Sequence, residues 1–300
     1  MPLRPYLQLI RVPNVFTAAT QSLAGYLLAG GRLETAGSWI PLVLASASIY
    51  AAGIALNDYF DIEIDRVERP RRPLPSGAVS RRFAGIFGAI GLILGPCLAA
   101  LSSPRSGLAG LILASSVLLY DAGLRRTVLG PQVMGLCRGL NLLMGLGWAS
   151  DFSGPAGWIA AGSLAVFVTG MTWISRWETE TGRVEGLTAG IVLENLGLAG
   201  LLAAALRIQP FPADSGAERF LPLEGLLILL IVGLYVNSVN AAAVREPVPA
   251  RMQAAVKAAI LSLSWIDVGL TAAVVGLGPA AVVALFWLPA PFLAKRIAST

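Results

Sequence analysis

The sequence predicts an all-α fold, a polytopic transmembrane bundle of nine or ten helices. Three observations carry this. Hydrophobic residue types make up 56% of the 300 residues and charged types only 13%, about half the charged share of an ordinary soluble domain. Mean hydropathy is +0.72. The apolar residues are gathered into runs close to the roughly 20-residue length that crosses a bilayer. Disorder, collagen and a disulfide scaffold are excluded by the same composition.

Taken in order, the runs fall near 14–32, 38–57, 83–102, 106–121, 131–149, 156–175, 187–206, 220–242, 256–275 and 277–294. The fourth is short, and only the region 276–279 divides the last two, which is why the count is nine or ten. Basic residues favour ten. With a cytoplasmic N-terminus, Arg32, Arg105, Arg207 and Arg219 fall outside and Arg138 lies within a span, while the other basic residues, of 22 in all, fall inside. That asymmetry fits the positive-inside rule. Only a tenth span, 277–294, returns Lys295 and Arg296 to the cytoplasm. Residues 1–300 therefore read as one integral membrane domain, expected in a bacterial-type inner membrane. The stretch 1–14 has no separate apolar core or small-residue cleavage site, so no secretory signal is expected there. Small residues such as Ala18, Ala19, Gly25 and Ala45 suit helix-contact surfaces.

Residue counts narrow the chemistry. There is no histidine, hence no imidazole base and no imidazole metal site. Cys97 and Cys137 both lie in apolar runs and read as small buried hydrophobes. Lys257 and Lys295 are the only lysines, so anion contacts fall to arginine, which binds phosphate bidentately. The basic residues sit between membrane runs, which argues for topology and against nucleic acid as a partner.

The longest polar segment, 58–82, joins the second and third runs on the cytoplasmic side. Asp58, Asp61 and Asp65 are spaced i, i+3 and i+7, within an arc of about 60° on one helix face. Three like charges at a membrane boundary repel one another and are poorly solvated. A divalent cation such as Mg²⁺ resolves that conflict, because it binds carboxylate oxygens and commonly shares its site with substrate phosphates. The competing reading is a solvated helix end balanced by Arg66, Arg69, Arg71 and Arg72. Pro70 must end the helix, and an extended Pro-stiffened loop is expected to carry the arginines toward the acids. Acids for a metal beside arginines for anionic oxygens suit a diphosphate ligand.

The run Asn57-Asp58-Tyr59-Phe60-Asp61 with Asp65, followed by Arg69-Pro70-x-Arg72-Pro73-Leu74-Pro75-Ser76-Gly77, resembles the first aspartate-rich motif of the UbiA superfamily of intramembrane prenyltransferases. The opening Arg11-Val12-Pro13-Asn14-Val15-Phe16-Thr17 is similar to that family's first helix. Tyr120 with Arg125 and Arg126 resembles its turn after the fourth helix, where lysine is more usual. The stretches 134–145 and 172–178 are similar to the EboC-type, UbiA-like branch. The resemblance implies a UbiA-like bundle in which Asp58, Asp61 and Asp65 hold Mg²⁺, and Asn57, Arg72, Arg125 and Arg126 bind the diphosphate of an isoprenoid substrate. The family's second motif, Asp-x-x-x-Asp after the sixth helix, is degraded here. The matching stretch begins at Ser175; Glu178 takes the first acidic position, and Gly182 stands where the second acid belongs. Glu178 is the expected fourth ligand. Were the stretch helical, Glu185 would share its face, about 20° away, and Glu180 would point elsewhere, toward Arg176. Glu180 and Glu185 stay open between ligation and surface pairing.

Ionisable groups inside spans cost roughly 2.5–3.5 kcal/mol each and so suggest function. Arg138 and Asn141, i and i+3 on the fifth run, share a face. Asn14, Tyr120 and Asp121 approach the same mouth and are expected to line the substrate cavity with Asn141. Arg138 is expected to act on an anion, with Asp121 as an alternative structural partner. Glu194, Asn195, Asn237, Asn240 and Asp267 read as packing groups.

The reaction so implied is Mg²⁺-dependent transfer of a prenyl group from an isoprenoid diphosphate to a small aromatic or lipophilic acceptor in membrane lipid. The alternative is a catalytically degenerate carrier for a prenylated or phosphorylated metabolite.

Overall fold

Residues 3–152, 154–179, 184–208, 223–289 and 292–293 are described by the computed structural model of the chain. Among them lie twelve α-helices and no strand. Two are short, α1 (Arg4–Leu9) and α4 (Ile62–Glu68). The other ten each coincide with one apolar run: α2 (Val12–Leu28), α3 (Ala36–Phe60), α5 (Arg81–Ser102), α6 (Pro104–Ala122), α7 (Gly130–Leu146), α8 (Gly154–Ser175), α9 (Val184–Arg207), α10 (Leu223–Arg245), α11 (Pro249–Val275) and α12 (Leu277–Trp287). A 3-10 turn, Leu124–Arg126, links α6 to α7.

The chain is an integral membrane protein. Among the described residues six helices, α3, α5, α8, α9, α10 and α11, are long and apolar enough to cross a bilayer. The tenth run differs from expectation. Its described helix has 11 residues, about 16 Å at 1.5 Å per residue, against a hydrocarbon core of about 30 Å. Arg219, Lys295 and Arg296, on which the topology argument also drew, lie outside the described residues.

The long helices form a ring in which chain neighbours pack side by side, α3 on α5, α5 on α6, α6 on α7, and so on to α11, which returns to α2. Helices α2 and α7 also pack on each other across the ring and divide it in two. Glycine permits that crossing. A Cβ on Gly25 would stand 2.4 Å from the Leu142 carbonyl oxygen, and one on Gly145 would stand 2.2 Å from that of Ser22, so the two backbones touch as small-residue contacts in lipid allow. Asn141 then stitches three helices: its Nδ2 donates to the Ala18 carbonyl and to Gln21, and its Oδ1 accepts from Ser46.

Helix ends follow local chemistry. Ser80 caps α5 by accepting from the Phe83 amide at 3.2 Å, and Ser103 does the same for α6 from Ser106, with Pro104 at the first helical position.

Candidate active site

Helix α3 carries Asn57 and Asp58 to one end of the ring and stops at Phe60. Asp61 is the hinge before α4, with φ −93° and ψ 4°. The expected single stripe is therefore interrupted, and its acids diverge. Asp58 and Asp65, 3% and 2% exposed, converge on one guanidinium: Arg72 Nη1 donates to Asp58 Oδ1 at 3.3 Å and to Asp65 Oδ2 at 2.7 Å. Asp61 instead accepts from Arg125 and, at 2.9 Å, from Arg126, both on the 3-10 turn after α6.

The segment after α4 is not extended as the prolines suggest. It folds back through successive turns, with the amides of Arg72, Ser76, Gly77 and Val79 donating to the carbonyls of Arg69, Arg72, Leu74 and Pro73. Its apolar side chains decide this. Leu74 and Val79 are buried with Leu9, Ala55, Ile62 and Ala84, which pins the segment over α3 and aims Arg72 inward.

Arg11 is the site residue that sequence reasoning missed. Its Nη2 donates to Asp58 Oδ1 at 3.3 Å, and its backbone is left-handed, φ 47° and ψ 55°, a strained choice for a residue with a Cβ. The signal was Arg11 at the head of the stretch that is similar to the family's first helix, but an arginine before an apolar run reads equally as a topology charge. Arg176 was missed too. Its guanidinium donates to the carbonyls of Arg125 and Thr127, tying the end of α8 to the turn that presents Arg125.

Glu178 lies in the turn 176–179 and is half-buried. Burial raises its pKa above the usual carboxylate value, and the facing Arg69 partly offsets this. Arg69 also lies 3.9 Å from Asp65, so Glu178 stands on the opposite rim of the same mouth. Glu185 does not share a helix with Glu178: α8 ends at Ser175 and α9 begins at Val184, which removes the i, i+7 argument. It is exposed in the first turn of α9. Glu180 lies outside the described residues.

Beneath the mouth is a cavity of about 300 Å³ whose wall includes Arg11, Tyr50, Gly53, Asn57, Tyr120, Asp121, Cys137, Arg138 and Asn141. The sequence places four of these at the cavity by name, Tyr120, Asp121, Arg138 and Asn141, and gives Asn57 to the diphosphate. Asn14 is exposed and is not part of that wall. Asp121 is not Arg138's ion-pair partner; its Oδ1 accepts from Asn57 Nδ2 at 3.2 Å. A larger space of about 430 Å³ between α10, α11 and α12 is lined by Ile228, Ile231, Val232, Tyr235, Leu261, Ser262, Trp265 and Trp287. It has no charged wall residue and no chemistry to offer.

The residues at the mouth fit a hard cation. Two buried carboxylates already converge on a cationic nitrogen, and all donors are carboxylate oxygens, the ligands that Mg²⁺ prefers. Among the described residues no three acids close around one point; guanidinium groups stand between them.

Comparison with known proteins agrees with this geometry. Residues 18–209 match the profile of the UbiA prenyltransferase family. The chain is 37% identical over 152 residues to a digeranylgeranylglyceryl phosphate synthase of Methanococcoides burtonii, covering 48% of this chain and 54% of that protein. It thus spans about half the length of the curated relatives it matches. The fold is similar to the apo structure of a UbiA homologue from Aeropyrum pernix, with a TM-score of 0.67 and 21% identity over 85% of this chain and 96% of that one. A UbiA homologue from Archaeoglobus fulgidus, solved with GPP and Mg²⁺, gives a TM-score of 0.60 at 17% identity, covering 89% and 99%.

Proposed function

The chain belongs to the UbiA prenyltransferase family, and on that premise we propose that it transfers a prenyl group from an isoprenoid diphosphate to a small acceptor inside the membrane. One observation carries this: three aspartates interleaved with Arg11, Arg72, Arg125 and Arg126 over a cavity with an apolar body and a few polar wall groups. On this reading the chain acts as one integral unit with its mouth toward the cytoplasm, an orientation that the basic-residue asymmetry supports. The stretches 134–145 and 172–178 support placing it near the EboC-type branch.

Asp58, Asp61 and Asp65, with Glu178 on the facing rim, are the residues that would hold Mg²⁺. The metal would neutralise the diphosphate and make it a better leaving group. The chain's own part falls to arginine: Arg72, Arg125 and Arg126, each on a carboxylate, would bind diphosphate oxygens once the carboxylates hold the cation. The apolar walls, Ile49, Ile54, Leu113, Val117 and Met134, keep water from the allylic carbon. The acceptor need not be aromatic, because the curated relatives are named for a glyceryl phosphate product.

A carrier that binds without ionising its ligand is the second reading, favoured by Gly182 where the second motif expects an acid. Purified protein given Mg²⁺ and labelled prenyl diphosphates, with an acceptor panel, separates the two. Transfer releases pyrophosphate in step with prenylated product; binding without release would sink the enzyme.

A further inference from the structure

Carboxylates are unevenly distributed around the mouth. A site for two metal ions holds them roughly 3.5–4 Å apart and clamps the ligand from both sides, which calls for acids on both sides. Here Asp58 and Asp65 converge on one nitrogen, Arg72 Nη1. Asp61 accepts from Arg125 and Arg126 through Oδ1 alone, and its Oδ2 has no hydrogen bond among the described residues. On the far rim Glu178 faces Arg69, and Glu185 is exposed in the first turn of α9. Gly182 stands four residues after Glu178, where a further acid would fall. The far rim thus offers one described carboxylate against three on the near side.

Charge points the same way. Arg11, Arg69, Arg72, Arg125 and Arg126 face Asp58, Asp61, Asp65 and Glu178, which leaves the mouth one positive charge in excess. Arg176 and Asp121, at its edge, cancel. A prenyl diphosphate carries roughly three negative charges near neutral pH. One divalent cation then brings mouth and ligand to about zero. A second would leave about two positive charges uncompensated at the membrane boundary, where unpaired charge is costly.

We propose that the mouth takes a single divalent cation, and that the paired guanidiniums of Arg125 and Arg126 do the work of a second at the other end of the diphosphate. This deepens the prenyl-transfer reading and rests on it. Asp58, Asp65 and Asp61 Oδ2 supply the cation's oxygens, and Glu178 is the one acid that the far rim adds. The two arginines suit the substitution. Both lie on the short 3-10 turn Leu124–Arg126, and Arg176 ties down the carbonyls of Arg125 and Thr127 that shape it. Arg125 is 11% exposed and Arg126 58%, so one guanidinium is held inside and the other meets water. Each offers a fixed charge and parallel donors to phosphate oxygens, without the dehydration that Mg²⁺ resists.

The test uses the full chain in nanodiscs of zwitterionic lipid, with Mn²⁺ as the probe cation. The probe ligands are inorganic pyrophosphate, and geranyl diphosphate without acceptor. Electron paramagnetic resonance should count one bound Mn²⁺ per chain with either ligand, with no spin coupling to a second ion. Pyrophosphate affinity should rise with free Mn²⁺ along a log–log slope of one. Asp65→Asn should weaken Mn²⁺ binding several-fold or more. Arg125→Gln should weaken pyrophosphate about tenfold or more at saturating Mn²⁺, without weakening Mn²⁺ alone, and Arg125→Lys should restore part of the loss. Two coupled ions, a slope of two, or parental pyrophosphate affinity in Arg125→Gln would overturn the proposal. So would Mn²⁺ held as tightly in Asp65→Asn as in the parent. Failure of the prenyl-transfer reading looks different: one ion and geranyl diphosphate bind together, and no acceptor yields a prenylated product.

Discussion

The half of the ring built from α2, α3, α5, α6 and α7 treats charge differently from the half built from α8 to α11. In the first, each aspartate of the mouth has a guanidinium on it, and the charges gather at one end around a cavity. In the second, the acids are scattered. Glu194 accepts from Asn240 at 2.6 Å with its other oxygen unpartnered, and Asn195 and Asn237 exchange a reciprocal pair of amide bonds. These are rungs between the neighbouring helices α9 and α10, and none of the four lines either cavity described above. Buried polar groups in lipid thus mean function where they converge on open space and helix adhesion where they bridge neighbouring helices.

The sharpest way to break this contrast is to remove one acid from each half. Asp61→Ala takes away the group that Arg125 and Arg126 share, and prenyl transfer should fall by about 10³-fold or more, as when a preorganised charge contact is lost. Glu194→Gln should leave transfer within a few-fold. Pyrophosphate release measures both, and equal losses would erase the distinction.

Next in size is the link between the halves. Arg176 reaches from α8 to the carbonyls that shape the Arg125 turn. Arg176→Gln should cost roughly tenfold in kcat by misplacing Arg125, with melting little changed. Gly25→Ala should do the reverse. Its Cβ meets the Leu142 carbonyl oxygen at 2.4 Å, where no flexible side chain can yield. A loss of about 1–3 kcal/mol is expected, read as a melting point several degrees lower. Gly162→Ala on α8, with nothing within 4 Å, should not move it.

The ten apolar helices were legible because hydropathy over 20 residues is a local signal, and the acidic motif because its spacing is. What escaped notice depended on contacts between distant segments. Nothing in 69–79 shows that Leu74 and Val79 will bury and fold the segment back. Asp61 as a hinge, Arg11 on Asp58 and Arg176 on the Arg125 turn are meetings of residues 47 or more positions apart, or a helix break that periodicity does not register. Glu178 and Glu185 show the converse error: a spacing read as one helix is split between two elements.

The smallest effect concerns Glu178, where the two halves meet at the mouth. Burial makes its carboxyl hold a proton more tightly in the folded chain than the ordinary value of 4.5 implies, and Arg69 offsets part of this. A raised folded pKa gives stability that is fully present below the unfolded value and is lost as pH rises through the folded one. In Mg²⁺-free buffer the melting point should therefore slip downward as pH climbs from 4.5, and Glu178→Gln, neutral throughout, should flatten that slope. The change should be on the order of 1 °C, because the group is half-buried and faces a cation. Added Mg²⁺ should shrink the slope in the parent and leave the variant unmoved, since the ionised carboxylate is the form a cation binds. An identical slope in parent and variant would detach the second rim from the mouth, and the charge contrast between the halves would then extend to their shared edge.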